Sequence, residues 1–110
     1  MSSLIEVWVK AAVEHKTLRI LYFSSRTKRQ PTIREVEPDF VGMSRDGCNI
    51  GLWAFCRLRQ AIRVFEPDSI LKWEYAGDSF VPNPKGRWRE LVGIYNKWKL
   101  ADKEWSLLEK

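Results

Sequence analysis

Apolar positions along the chain recur first at helical spacing and then at strand spacing. Ile5, Trp8, Val9, Ala12 and Val13 return every three or four residues, which predicts an amphipathic helix over 4–16. Ser3, with Glu6 three residues later, forms a capping-box pair that sets its start. From Thr17 to Phe23 the period drops to two. Leu18, Ile20 and Tyr22 fall on one face, Arg19, Leu21 and Phe23 on the other. Residues 24–31 are polar and end in a proline, so they predict a loop. Thr32 to Glu37 is extended again and stops at Pro38, and Phe40 to Ser44 reads as a short strand. Asp46-Gly47 predicts a tight hairpin turn. Residues 50–56 are apolar or small on both faces, as a covered central strand must be. The run breaks at Arg57-Leu58-Arg59-Gln60 and resumes from Ala61 to Phe65, which completes a hairpin. After a turn at 66–69, Ile70 to Tyr75 is the last strand, with Trp73 and Tyr75 on one face.

This pattern gives a mainly β protein with flanking helices. About five strands with short connections suit a small closed barrel. Phe80-Val81-Pro82-Asn83-Pro84 reads as a linker. Beyond it Trp88, Leu91, Val92, Tyr95, Trp98, Trp105 and Leu108 fall near one helical face. A helix from 86 to 109 would be about 35 Å long, longer than a small barrel is wide. Trp88, Leu91, Tyr95, Trp98 and Trp105 are therefore expected to form an interface, with a second copy or a neighbouring domain. A bend at Gly93 that folds the helix back on the barrel is the competing expectation. The expected division is a barrel domain with its N-terminal helix over 1–79, a linker over 80–85, and the C-terminal helix over 86–110.

Composition adds little that contradicts this. At 110 residues and 45% hydrophobic the chain is one folded domain, and six tryptophans are many for that length. A net charge of +5 and a pI near 9.4 suit an anionic partner without requiring one. Cys48 and Cys56 lie eight residues apart; along a straight strand that is about 26 Å, too far for a disulfide. They are read as reduced thiols of a cytoplasmic protein. A zinc site is not expected with a single histidine and no Cys-x-x-Cys. No apolar run reaches membrane-span length, and no signal peptide opens the chain.

The chemistry-bearing residues gather at the central hairpin. Arg57, Arg59 and Arg63 stand at its rim beside Trp53, Phe55 and Phe65. A rim guanidinium offers a planar fork for a phosphate, and the rings offer stacking surfaces. Arg26 and Lys28, in the polar loop, add either electrostatic capture or a solvated hairpin tip. Glu35 and Glu37 share a face, which predicts exposure or pairing with nearby arginines. The sequence contains no P-loop, nucleophile elbow, zincin motif or Cys–His pairing in a credible setting. No enzyme activity and no cofactor are expected.

These residues also carry a resemblance. Leu52, Ala54-Phe55-Cys56, Arg57-Leu58-Arg59, Arg63-x-Phe65 and Ile70 resemble the central motif of the WYL domain family. Arg34-Glu35-Val36-Glu37-Pro38 resembles its Arg-Glu-Val-Asp-Pro segment, and Arg19-Ile20-x-Tyr22 its first strand. The likeness spans residues 5–76. The triplet that names the family is Ile50-Gly51-Leu52 here, without its tryptophan and tyrosine. The resemblance implies an SH3/Sm-like barrel. It implies a ligand-sensing module of prokaryotic transcription regulators or CRISPR and defence regulators, or of some helicases. Such modules are thought to sense single-stranded nucleic acid or nucleotide-like ligands. On that reading Arg57, Arg59 and Arg63 grip phosphates, Tyr22, Trp53 and Phe55 stack or line a groove, and Arg26 and Lys28 assist capture. The alternative is a protein-interaction or oligomerisation module built on the C-terminal helix. The one N-terminal helix leads directly into strand, so no helix-turn-helix is expected. The chain reads either as a domain of a longer regulator or as an accessory protein.

Overall fold

Helix α1 (Leu4–Glu14) begins where the capping pair sets it, with the Glu6 amide donating to Ser3 Oγ at 3.2 Å. It ends at His15, whose left-handed backbone (φ 57°) turns the chain into the sheet. The computed structural model describes residues 3–23 and 30–108, with backbone alone over 102–108. Five antiparallel strands follow α1: β1 (Lys16–Tyr22), β2 (Thr32–Met43), β3 (Ile50–Cys56), β4 (Ala61–Phe65) and β5 (Ile70–Ser79). Their order in the sheet is β4-β3-β2-β1-β5. A short 3-10 turn, Pro67–Ser69, connects the two edge strands β4 and β5.

Two short strands expected between residues 32 and 44 are one long strand. β2 runs through Pro38 with a register shift between Pro38 and Phe40. Its pairing with β1 ends at Leu18↔Val36, so only β3 pairs with β2 at Pro38, and a missing N–H is tolerated there. The Asp46-Gly47 turn is wider than a two-residue hairpin. Met43 pairs with Ile50, Gly47 takes φ 74°, and Asp46 Oδ1 accepts from the Cys48 amide.

Period-two alternation sorts the sheet into an inner and an outer face. Leu18, Ile20, Val36, Leu52, Ala54, Cys56 and Phe65 point inward and meet Leu4, Trp8 and Ala11 of α1. Trp8 is fully enclosed, packs on the Phe65 ring at 6.2 Å, and donates its indole N–H to the Trp53 carbonyl at 3.1 Å. Burying a ring of this size is a large apolar gain, and the hydrogen bond removes the cost of its one polar atom.

The C-terminal segment differs from a single straight helix. It forms a 3-10 turn, Trp88–Leu91, followed by α2 (Val92–Leu108). Leu91 is buried against Val9 and Ala12 of α1, with Trp88, Tyr95 and Trp98 packed around them. Of the residues expected at an interface, Leu91 is thus buried within the chain, and Trp88, Tyr95 and Trp98 are partly buried there. The Leu4/Trp8/Ala11 side of α1 faces the main core, while Val9 and Ala12 are covered by Leu91 together with Phe40 and Val41 of β2. The Trp105 side chain lies outside the described ones. No helix among the described residues is long and apolar enough to cross a membrane.

Candidate ligand-binding site

One of the three arginines expected to grip phosphates, Arg57, is already engaged. Arg57 follows β3 and takes the outward parity of Phe55. Glu37 pairs in register with Phe55, and the Arg57 amide donates to the Glu35 carbonyl at 3.1 Å. Both carboxylates therefore stand beside its guanidinium. Arg57 Nε donates to Glu37 Oε2 at 2.9 Å and Nη1 to Glu35 Oε2 at 2.9 Å, with Asp78 Oδ2 at 3.9 Å. The hydrogen bond it donates to Glu37 is the main cause holding its pKa above the ordinary arginine value. Arg57 is thus a structural cation of the outer face. The pairing expected for Glu35 and Glu37 is the one observed. Arg59 lies exposed in the β3–β4 turn, and Arg63 lies exposed on β4 opposite Ala54. Neither forms an ion pair among the described residues. Arg26 and Lys28 fall outside the described residues.

The aromatic residues divide between the two faces, so one ligand cannot stack on all of them. Tyr22 points inward, its ring edge-on to Phe65 at 5.1 Å. Trp53 and Phe55 point outward, where Trp53 Nε1 donates to the Met43 carbonyl at 3.0 Å. A groove of about 460 Å³ runs over this outer face, floored by Trp53, Phe55 and Ile62 and walled by Phe80, Val81 and Arg87. Two cations line it, Lys85 and Arg87, and Arg87 is already engaged. Arg87 lies over the Phe40 ring at 3.8 Å and pairs with Glu90 at 2.7 Å. Glu37 and Asp39 add negative charge to the lining. The groove therefore suits an apolar guest better than a polyanion.

Arg34 is the residue that reading the sequence for function passed over. It sits on β2 opposite Ile20 and points inward, with only 7% of its surface exposed. Its Nε donates to Thr32 Oγ1 at 3.2 Å, Nη1 faces Cys56 Sγ at 3.9 Å, and the guanidinium lies over the Tyr22 ring at 5.1 Å. No carboxylate among the described residues pairs with it. Strand parity held the signal. If Glu35 and Glu37 face one way, Arg34 faces the other, among Val36 and Pro38.

Gly51, at the tyrosine position of Ile50-Gly51-Leu52, has no room for a side chain. A Cβ there would lie 2.7 Å from Val64 Cγ1, 2.9 Å from the Met43 carbonyl oxygen and 2.9 Å from Ser44 Cα. Two of those three neighbours are backbone, so the site is closed by the fold. No group of three or more His, Cys, Asp or Glu side chains able to hold a metal ion occurs among the described residues.

Comparison with known proteins covers most of this architecture. The WYL domain family profile matches residues 3–75. No curated protein sequence matches the chain. Among solved structures the chain is similar to proteasome accessory factor B/C (PafBC) of Arthrobacter aurescens, with a TM-score of 0.56 and 21% identity. The likeness covers 72% of this chain and 13% of PafBC, and at that identity it is a likeness of fold.

Proposed function

The chain belongs to the WYL domain family, and on that premise we propose that it is a ligand-sensing regulatory domain binding nucleic acid or nucleotide-like anions. It would serve a prokaryotic transcription or CRISPR and defence regulator, within a longer chain or beside one. In this reading the five-stranded sheet is the SH3/Sm-like barrel of the family, its edge strands β4 and β5 brought together by the Pro67–Ser69 turn. Asp78 Oδ2 of β5 lies 3.9 Å from Nη1 of Arg57, which follows β3, and this approach of the two ends of the sheet supports that closure. Residues 1–79 act as the binding domain, 80–85 as the linker, and 86–110 as the element that reports the bound state.

The observation that carries the reading is a set of cations with no acids to neutralise them. Arg34, Arg59 and Arg63 have no carboxylate partner among the described residues. The segment Ser-Ser-Arg-Thr-Lys-Arg that joins β1 to β2 contributes Arg26 and Lys28 and contains no acid. Arg57 drops out as a phosphate ligand. Trp53 and Phe55 line the outer groove instead of the basic side.

A fluorescence titration with short RNA, short DNA and cyclic nucleotides at two salt concentrations tests this. Affinity for a strand should fall by a slope of about −0.7 per phosphate contact on a log–log plot. Absence of binding by every one of these ligands at the lower salt would reject the proposal.

A second reading, a protein-interaction or oligomerisation module, rests on apolar side chains of α2 that stay outside the intramolecular cluster. Ile94 is 43% and Leu100 57% exposed. Solution mass with and without residues 86–110 separates the readings: an assembly held by α2 loses its dimer mass on truncation.

A further inference from the structure

We propose that Arg34 is the phosphate anchor of this domain, and that the ligand enters over the inner face of the sheet instead of the outer groove. This inference rests on the ligand-sensing reading and assigns its site. An arginine stays protonated at every accessible pH, so burial cannot be relieved by losing the charge. Removing an unpaired cation from water costs several kcal/mol. Buried guanidinium groups are therefore matched by an acceptor of opposite charge.

Arg34 lacks one among the described residues, although it is 7% exposed. A guanidinium carries five N–H donors. Among the described residues one is given to the Thr32 hydroxyl at 3.2 Å, and another faces a sulfur, a weak acceptor, at 3.9 Å. The contrast with Arg57 is informative because both lie on the same sheet. Around Arg57 the chain places Glu35, Glu37 and Asp78. Around Arg34 it places Thr32, Cys56 and Tyr22. The outer cation is neutralised by the protein and the inner one is left for something else.

What surrounds Arg34 selects the anion. By sequence, residues 24–29, which lie outside the described residues, include Arg26, Lys28 and Arg29 and no acid. Arg63 shares the inward parity of Phe65 on β4. A planar fork held at fixed orientation matches two oxygens of a phosphoryl group. The Tyr22 ring fixes that orientation: it sits under the guanidinium at 5.1 Å and is braced edge-on by Phe65 at 5.1 Å. Tyr22 is thus a positioning residue for Arg34. The shared chemistry is a phosphoryl oxygen pair, which a mononucleotide or a single strand can equally present.

The test reads the Arg34 Nε–H resonance of the full chain while inorganic phosphate, adenosine monophosphate or a short oligothymidylate is added. The expected result is a saturable shift with each, the oligonucleotide saturating at the lowest concentration. A shift with the mononucleotide alone supports the site and identifies the ligand as a free nucleotide. A shift with phosphate alone supports the anion site and counts against the nucleic-acid reading. Oligonucleotide binding seen by fluorescence without any change at Arg34 overturns this inference and leaves the proposed function standing. No shift with any of the three overturns it as well. Arg34→Lys, which keeps the charge and removes the fork, should weaken oligonucleotide binding about tenfold. Circular dichroism of that variant separates lost affinity from lost fold, and unchanged affinity would contradict the fork.

Discussion

Replacing Arg57 with alanine leaves Glu35 and Glu37 on neighbouring outward positions of β2 with their shared counter-ion gone. All three side chains are about a third exposed or less, so the cost lies between that of surface and fully buried pairs. We expect a loss of about 1–2 kcal/mol, read as a lower urea midpoint, with ligand affinity unchanged. Gly51 gives a second residue-scale prediction. Restoring the family's tyrosine by Gly51→Tyr should destabilise the chain, and Gly51→Ala alone should cost about 1–3 kcal/mol in a thermal melt, because the clash is with Met43 and Ser44 backbone. A stable Gly51→Tyr variant would mean that β3 and the turn before it separate easily. At this scale alternation made the Glu35/Glu37 face legible. It also contained Arg34, but an inward arginine is recognised as unusual only when its neighbours are known to lack acids.

The elements meet at Glu14. Its carboxylate accepts from the Tyr75 hydroxyl of β5 at 3.2 Å and from the Tyr95 hydroxyl of α2, so one side chain of α1 ties both to the helix. Burial, then the Glu14 charge, pushes Tyr75 up to about 12; the Glu14 hydrogen bond, then burial, pushes Tyr95 up to about 12. Both folded values lie above the ordinary 10.0. The folded state therefore holds protons that the unfolded state releases. This contribution is intact below pH 10 and is lost as pH rises from there towards 12. An ultraviolet titration should show two late tyrosine ionisations. In Glu14→Gln both should move down, Tyr95 further, since its leading cause is removed. Leu91→Ala should loosen the same junction, costing about 2–4 kcal/mol in docking of α2 and accelerating amide exchange in its first turns. Existence and type of α1, β1 and the β3–β4 hairpin were legible from period and capping. The return of α2 was legible only as the competing fold-back, because periodicity does not show which neighbours cover Val9 and Ala12 of α1. The continuity of β2 through Pro38 was hidden for a similar reason: proline stops a strand only where a neighbour needs its N–H.

As a whole the molecule is a basic body of 49 × 30 × 30 Å with opposed faces of different chemistry. Outward lie the Arg57 cluster and an apolar groove; inward, beyond the core, lies the guanidinium of Arg34. Ending the chain at residue 85 should uncover Val9, Ala12 and Phe40, and lower the melting temperature even in a monomer. A net charge of +5 suits an anionic partner without placing it; its proposed place follows from the division of cations between the faces. Amide chemical-shift mapping with a single-stranded oligonucleotide tests that division directly. The account predicts perturbations centred on Tyr22, Arg34, Cys56 and Arg63. Perturbations centred on Trp53, Phe55, Ile62 and Val81, with the Arg34 region unchanged, would contradict it.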